Sequence, residues 1–207
     1  MSKEIELKYK LSSPALGREI LKSDFLSALL LKNNSRTVSM RAVYYDDKHL
    51  TLTSKKIGYR VRKENDQFVA TVKWTQAQDD KGLSVRHEYN IDVSEEKADP
   101  AVFKDVIKDP DVASILCSID PIPLFITDFK RELIEVIFGD DVIEVAFDNG
   151  SITAGENNSL PICELECELK IGEEEHLVAF GNMLSEKFHL APLSDSKLKR
   201  GLSLLNI

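Results

Sequence analysis

With 207 residues, 43% of them hydrophobic and 30% charged, the chain is long enough for one large domain or two small ones and for a substantial buried core. A net charge of -8 excludes a nucleic-acid binder that works by broad phosphate neutralisation, so any anionic ligand needs a local basic cluster. No apolar run approaches the roughly 18 residues of a membrane span and no signal-peptide core opens the chain, so the expectation is a cytoplasmic protein with neither a membrane nor a nucleic-acid partner.

In chain order, Glu4-Ile5-Glu6-Leu7-Lys8 alternates as a strand, with Glu4, Glu6 and Lys8 on one face. Ser13-Pro14 reads as an N-cap with proline at the first helical position, and Leu16, Ile20 and Leu21 form an apolar stripe after it. A second helical run is expected over 24–31. From Thr37 the period changes to two, predicting strands over 37–46, 59–63, 68–74 and 83–93, with a hairpin turn at Glu64-Asn65-Asp66-Gln67.

Two Asp-Pro breaks between 95 and 116 predict one helix around Val102 to Ile107 and a shorter piece after it. Strands resume over 129–138 and 142–147, joined by Gly139-Asp140. The stretch 148–155 reads as a turn and a further strand. Over 162–170 the even positions Glu164, Glu166 and Glu168 are acidic, while Cys163, Leu165, Cys167 and Leu169 are apolar. Glu173-Glu174-Glu175 marks a helix N-terminus, and a last short helix carries Lys197 and Arg200. Three cysteines give no disulfide framework, and Cys163 and Cys167 read as small core residues. The economical fold is one α+β domain over 1–207 dominated by an antiparallel sheet.

Alternating charge is what any wet sheet face shows, and period alone does not tell inside from outside. If the sheet curls into a wide barrel, the charges of several strands meet in one chamber. Carboxylates then come from the first and late strands, and Arg60, Arg62, Lys73, Arg86 and Arg131 from those between. Carboxylate oxygens suit Mg²⁺ or Mn²⁺, and Arg and Lys suit phosphate oxygens, so the chamber would take a metal-bound polyphosphate. Phosphate-loop, dinucleotide, zinc-peptidase and hydrolase-elbow signatures are absent from the sequence. His87 and Trp74 fall on the opposite faces from Arg86 and Lys73 and read as packing residues.

The ordered series Glu4-x-Glu6-x-Lys8, Tyr45-Asp46-Asp47, Arg60-x-Arg62, Lys73, Arg86-x-Glu88, Arg131, Asp148-x-Gly150, Glu164-x-Glu166-x-Glu168 and Ser196-Lys197 resembles the CYTH family, also called triphosphate tunnel metalloenzymes. The segments 144–155 and 162–170 look most like its bacterial inorganic triphosphatase branch, here without the helical CHAD domain that branch often appends. Asp47 departs from the threonine usual in the Y-x-D-T stretch. The resemblance implies an antiparallel barrel of roughly eight strands with flanking helices. Glu4, Glu6, Asp148, Glu164, Glu166 and Glu168 are implied as ligands of Mg²⁺ or Mn²⁺. Lys8, Arg60, Arg62, Lys73, Arg86, Arg131 and Lys197 are implied for substrate, with Glu4, Glu6, Lys8 and Glu166 at the chemistry.

The expected reaction is metal-dependent hydrolysis of a small-molecule substrate, inorganic triphosphate, to pyrophosphate and phosphate. The alternatives are a class IV adenylate cyclase, a thiamine or nucleoside triphosphatase, and, in a different class, a non-catalytic polyphosphate-binding module. A homodimer is compatible with the sequence.

Overall fold

A computed structural model describes residues 2–31, 34–79 and 81–206. Eight long strands run antiparallel: β1 (Ser2–Lys10), β2 (Arg36–Asp46), β3 (Ile57–Glu64), β4 (Gln67–Gln78), β5 (Leu83–Val93), β6 (Ile122–Phe138), β7 (Asp141–Ala154) and β8 (Asn158–Ile171). Their order is β5-β4-β3-β2-β6-β7-β8-β1, and a further β5–β1 pairing closes the sheet into a barrel. β1 pairs β8 from Glu6↔Glu168 to Lys10↔Glu164 and β5 from Ser2↔Glu88 to Leu7↔Leu83. Beyond Leu7 it trades β5 for the two-residue β9 (Ala191–Pro192).

Helices cover the outside because the outward positions of these strands are apolar. α1 (Pro14–Leu21), α2 (Asp24–Ser27) and α5 (Glu174–Phe188) pack over β6, β7, β8 and β1 on a core that includes Leu7, Tyr9, Phe147, Leu165, Cys167 and Phe180. A 3₁₀ turn (Pro100–Phe103), α3 (Thr51–Ser54) and α4 (Pro110–Ser118) cover β3, β4 and β5 through Phe103, Leu52 and Leu116 against Tyr59, Val61 and Val72. Each large apolar side chain buried this way is worth about 1.5–3 kcal/mol. A third cluster lies inside one end of the barrel. There α6 (Lys197–Leu204) sets Leu198 and Leu202 against Tyr44, Phe125, Phe129, Ile152 and Ile162 and plugs that end.

The Ser13 cap forms as expected, with its hydroxyl accepting from Leu16 N at 3.3 Å. Four readings are corrected. The run over 24–31 is helical only to Ser27, because Leu29 to Leu31 turns to hydrogen-bond the outer part of β6, through Leu31 N to Glu135 O and Ile137 N to Leu29 O. Around the Asp-Pro pairs the lengths are reversed: the first piece is only the 3₁₀ turn, while Asp109 caps a nine-residue α4 by accepting from Asp111 N and Val112 N. Trp74 lies on the outer face as read, stacked on Tyr89 with centroids 5.7 Å apart, but it also reaches the lining of the central cavity.

The fourth correction concerns 148–155. There is no turn at Asn149-Gly150, since β7 runs unbroken through it, paired Gly150↔Phe129 and Gly150↔Ile162. Gly150 instead permits a close strand approach, as a Cβ there would lie 2.1 Å from Asp128 O and 2.5 Å from Phe129 Cα. The Gly150→Ala variant is expected to lose about 1–3 kcal/mol of stability, read as a lower urea midpoint at an unchanged m-value.

Candidate active site: a charged chamber inside the barrel

The inward positions of the eight strands line a cavity of about 470 Å³. Ten cationic side chains and seven carboxylates contribute to it among the described residues, an excess of three positive charges in a chain of net charge -8. This is the local basic cluster that an anionic ligand requires.

From β1 come Glu4, Glu6 and Lys8, all buried, and from the neighbouring β5 come Arg86 and Glu88. Arg86 Nε lies 3.2 Å from Glu4, and its Nη2 pairs with Glu6. Lys8 Nζ lies 2.9 Å from Glu6. From β4, the strand beyond β5, Lys73 donates to Glu4 at 2.6 Å and lies 3.2 Å from Glu88. β3 supplies Arg60, which donates to the Tyr44 hydroxyl at 3.1 Å, and Arg62, which pairs with Glu64. Burial would push the Glu4 carboxyl up, but Lys73 and Arg86 outweigh it and hold Glu4 well below the usual carboxylate range.

On the other wall the inward residues belong to β6, β7 and β8. Arg131 forks onto Asp148 with two bonds of 2.7 Å and also pairs with Glu166. The ammonium of Lys197, at the start of α6, donates to Asp148 at 2.7 Å, to Glu166 at 2.9 Å and to Glu164; Arg200, one turn later, also pairs with Glu164. Burial opposes the ionised form of Glu166, yet Lys197 and Arg131 hold its carboxyl well below the usual range. Burial likewise opposes charge on Lys197 and Arg131, and the carboxylates beside each hold both cations above their ordinary values.

The remaining open end is ringed by Glu64, Glu144, Glu168, Arg36 and Lys170. Glu144 stands opposite Glu168 across β7 and β8, a like-charge pair that would repel without a counter-ion. Lys170 supplies one, 2.9 Å from Glu168 and 3.8 Å from Glu144, with Arg36 3.7 Å from Glu144 on the other side. Burial raises the Glu168 carboxyl, and Lys170 opposes this only in part.

Most sequence-predicted residues therefore converge: Glu4, Glu6, Lys8, Arg60, Arg62, Lys73, Arg86, Arg131, Glu166, Glu168 and Lys197 line one cavity. Asp148 and Glu164 lie behind its wall, fully buried under Lys197. With Glu166 they offer carboxylate oxygens within 4.8 Å of one another, a set able to hold a cation. In this fold the Lys197 ammonium sits among them.

Sequence reading missed Tyr44, Arg36, Glu144, Lys170 and Arg200. Glu144 keeps strict alternation with Asp148, and Arg200 follows Lys197 by one helical turn, so both carried a signal. Tyr44, stacked on Phe125 at 4.5 Å and lining the cavity beside Arg60, was masked by its neighbour Tyr45. Asp47 has a structural use, accepting from His49 N at 2.9 Å, Thr51 N at 3.0 Å and Thr51 Oγ1 at 2.7 Å to shape the turn into α3.

The sequence matches the CYTH domain family over residues 2–202. It is 34% identical over 205 residues to an inorganic triphosphatase of Haemophilus influenzae, covering 99% of this chain and 55% of that protein, so the chain spans about half the length of this curated relative. The fold is similar to that of a Hippeastrum protein of adenylyl cyclase type with a dominant triphosphatase activity (18% identity, TM-score 0.62, 97% and 95% of the two chains). It is also similar to that of a Pyrococcus horikoshii protein (15% identity, TM-score 0.60, 97% and 98%).

Removing the central cation while keeping its bulk tests the wall. In Lys197→Met, Asp148, Glu164 and Glu166 lose a shared counter-ion, and breaking such a buried network costs about 3–5 kcal/mol. Glu166 loses the foremost charge that holds its carboxyl low, so the variant forfeits stability that wild type has above the usual carboxylate range and loses as pH falls. Urea unfolding is expected to show the largest loss at neutral pH and the smallest in acid, below the usual carboxylate range.

Proposed function

Because the chain belongs to the CYTH family, we propose that it hydrolyses inorganic triphosphate to pyrophosphate and phosphate inside the barrel. The observation that carries this reading is the chamber itself, where paired carboxylate strands β1 and β8 face arginines and lysines from β3, β4, β5 and β6. The relative of Haemophilus influenzae named an inorganic triphosphatase supports it.

The donors fit a hard divalent cation. Glu4, Glu6, Glu166 and Glu168 present carboxylate oxygens to the cavity, and Glu4 Oε2 and Glu6 Oε1 are buried without a well-formed hydrogen bond, with only Arg86 and Lys8 against them as ion pairs. These four would hold Mg²⁺ or Mn²⁺, which when bound supplies charge neutralisation of the phosphates and lowers the pKa of a ligated water. Asp148 and Glu164 serve at one remove, fixing Lys197, Arg131 and Arg200 in place.

Arg60, Arg62, Lys73, Arg86 and Arg131 bind and orient the phosphate chain, with Lys8 and Lys197 at its inner end. Loss of one well-placed donor to the transferred phosphoryl group costs roughly 2.7–4 kcal/mol of activation free energy. With a cation held there, Glu4 and Glu6 would pair with it and release Lys73, Lys8 and Arg86 to turn to phosphate. Either ligand alone would leave half of the pairs unmatched, so cation and triphosphate bind together.

The aromatic rings that reach the cavity, Tyr44, Trp74 and Phe129, are already engaged with Phe125, Tyr89 and the Lys197 ammonium. This favours an inorganic chain over a nucleotide or a thiamine ester. No described helix is long and apolar enough to cross a membrane, and the three free cysteines suit the reducing cytoplasm in which we place the reaction.

Phosphate release from tripolyphosphate, ATP and thiamine triphosphate under Mg²⁺ or Mn²⁺, with cyclic AMP followed in parallel, tests the reading. Tripolyphosphate is expected to be the best substrate; cyclic AMP as the main product, or tight binding with no phosphate release, would refute it. Calorimetry is expected to show triphosphate affinity at least tenfold weaker in EDTA, and a folded Glu6→Gln variant is expected to lose at least tenfold in turnover.

A further inference from the structure

A second chamber, of about 40 Å³, lies behind Lys8 and Arg86 and is lined also by Gly82, Ser84, Ser194 and Ser196. Lys8, Arg86, Thr75 and Ser196 line both this chamber and the main cavity, so the two adjoin. Its position follows from the barrel seam. β5 stops pairing β1 at Leu7↔Leu83, and beyond it the same edge of β1 is held by Lys8 N donating to Gly82 O and Lys8 O accepting from Leu193 N. On the facing side β4 shifts register between Thr75 and Ala77. Two irregularities at one level leave a gap in an otherwise closed wall.

The chamber joins exposed Thr75 and Ser194 to buried Ser84 and Lys8. Its polar lining suits water. A water needs roughly 10–15 Å³ of such volume, so the chamber has room for about three, whereas a phosphate ion with five heavy atoms does not fit. In-line phosphoryl transfer needs the nucleophile opposite the leaving group. A triphosphate entering by the open end has its terminal phosphorus innermost, toward Lys8 and Arg86, and its leaving pyrophosphate toward the ring of Glu144 and Glu168. The face open to attack is then the one the small chamber serves, while α6 seals the rest of that end.

We propose that this hydroxyl-lined chamber at the β1–β5 seam is the water site and inlet of the hydrolysis, a role that rests on the triphosphatase reading above. Its water oxygen bonds to the terminal phosphorus, the bridging P–O bond breaks, and pyrophosphate keeps the bridging oxygen. The proton of the water leaves through the other waters of the chamber to solvent. Ser84, on the same face of β5 as Arg86, is the positioning residue, since its side chain sets the chamber's inner width.

Ser84→Val fills the chamber and keeps a residue suited to a strand. Its kcat on tripolyphosphate is expected to fall at least tenfold with KM and the unfolding midpoint near wild type, whereas Ser84→Ala, which leaves the room, keeps kcat within threefold. Wild-type kcat in a folded Ser84→Val protein, or a loss confined to KM, overturns the inlet. Independently of turnover, a high-resolution crystal structure is expected to show ordered water bonded to Ser84 Oγ, and a dry chamber overturns the proposal. Failure of the triphosphatase reading is recognised separately, as wild-type protein that releases no phosphate, and the inlet falls with it.

Discussion

The ammonium of Lys197 lies among three carboxylates that two neighbouring strands deliver, Asp148 from β7 and Glu164 and Glu166 from successive inward positions of β8. Charges taken out of water at this depth persist only when partners surround them. This contact makes the polar half of the barrel compatible with its apolar half. It seats α6 across one end, where Gly201 comes close enough to Phe125 that a Cβ would meet the ring at 2.2 Å. The cavity thereby becomes a chamber with a floor.

The same rule organises the opposite wall, with a different outcome. Glu4, Glu6, Lys73, Arg86 and Lys8 are also paired, but around open volume. A network that is closed and fully bonded rigidifies, and one that borders a cavity can exchange partners. The division between Asp148 with Glu164 and Glu4 with Glu6 is thus a division of labour among chemically identical groups, set by what lies beside each.

Much of the chamber was legible because β-strands alternate. Glu4, Glu6 and Lys8 had to share a face, as did Arg60 with Arg62 and Glu164 with Glu166, and closure of the sheet decided which face was inside. What alternation does not encode is depth along the barrel axis. Asp148 and Glu166 look equivalent in sequence, yet one is sealed and the other borders the cavity, because α6 arrives from later in the chain. Element boundaries failed for similar reasons. Gly150 has the composition of a turn, but in β7 its missing side chain serves a close approach to β6. The run after Ser27 has helical composition, but the unpaired outer edge of β6 offered its backbone better partners.

β1 pairs β8, joining residues 6–10 to residues 164–168. Nearly the whole chain must be made and placed before the two acidic strands meet, and loop closure over such a span is slow. During synthesis β1 therefore waits with alternate positions charged, a pattern that discourages it from pairing with strangers. The charges that line the chamber in the folded protein also discourage strand pairing by the unfinished chain.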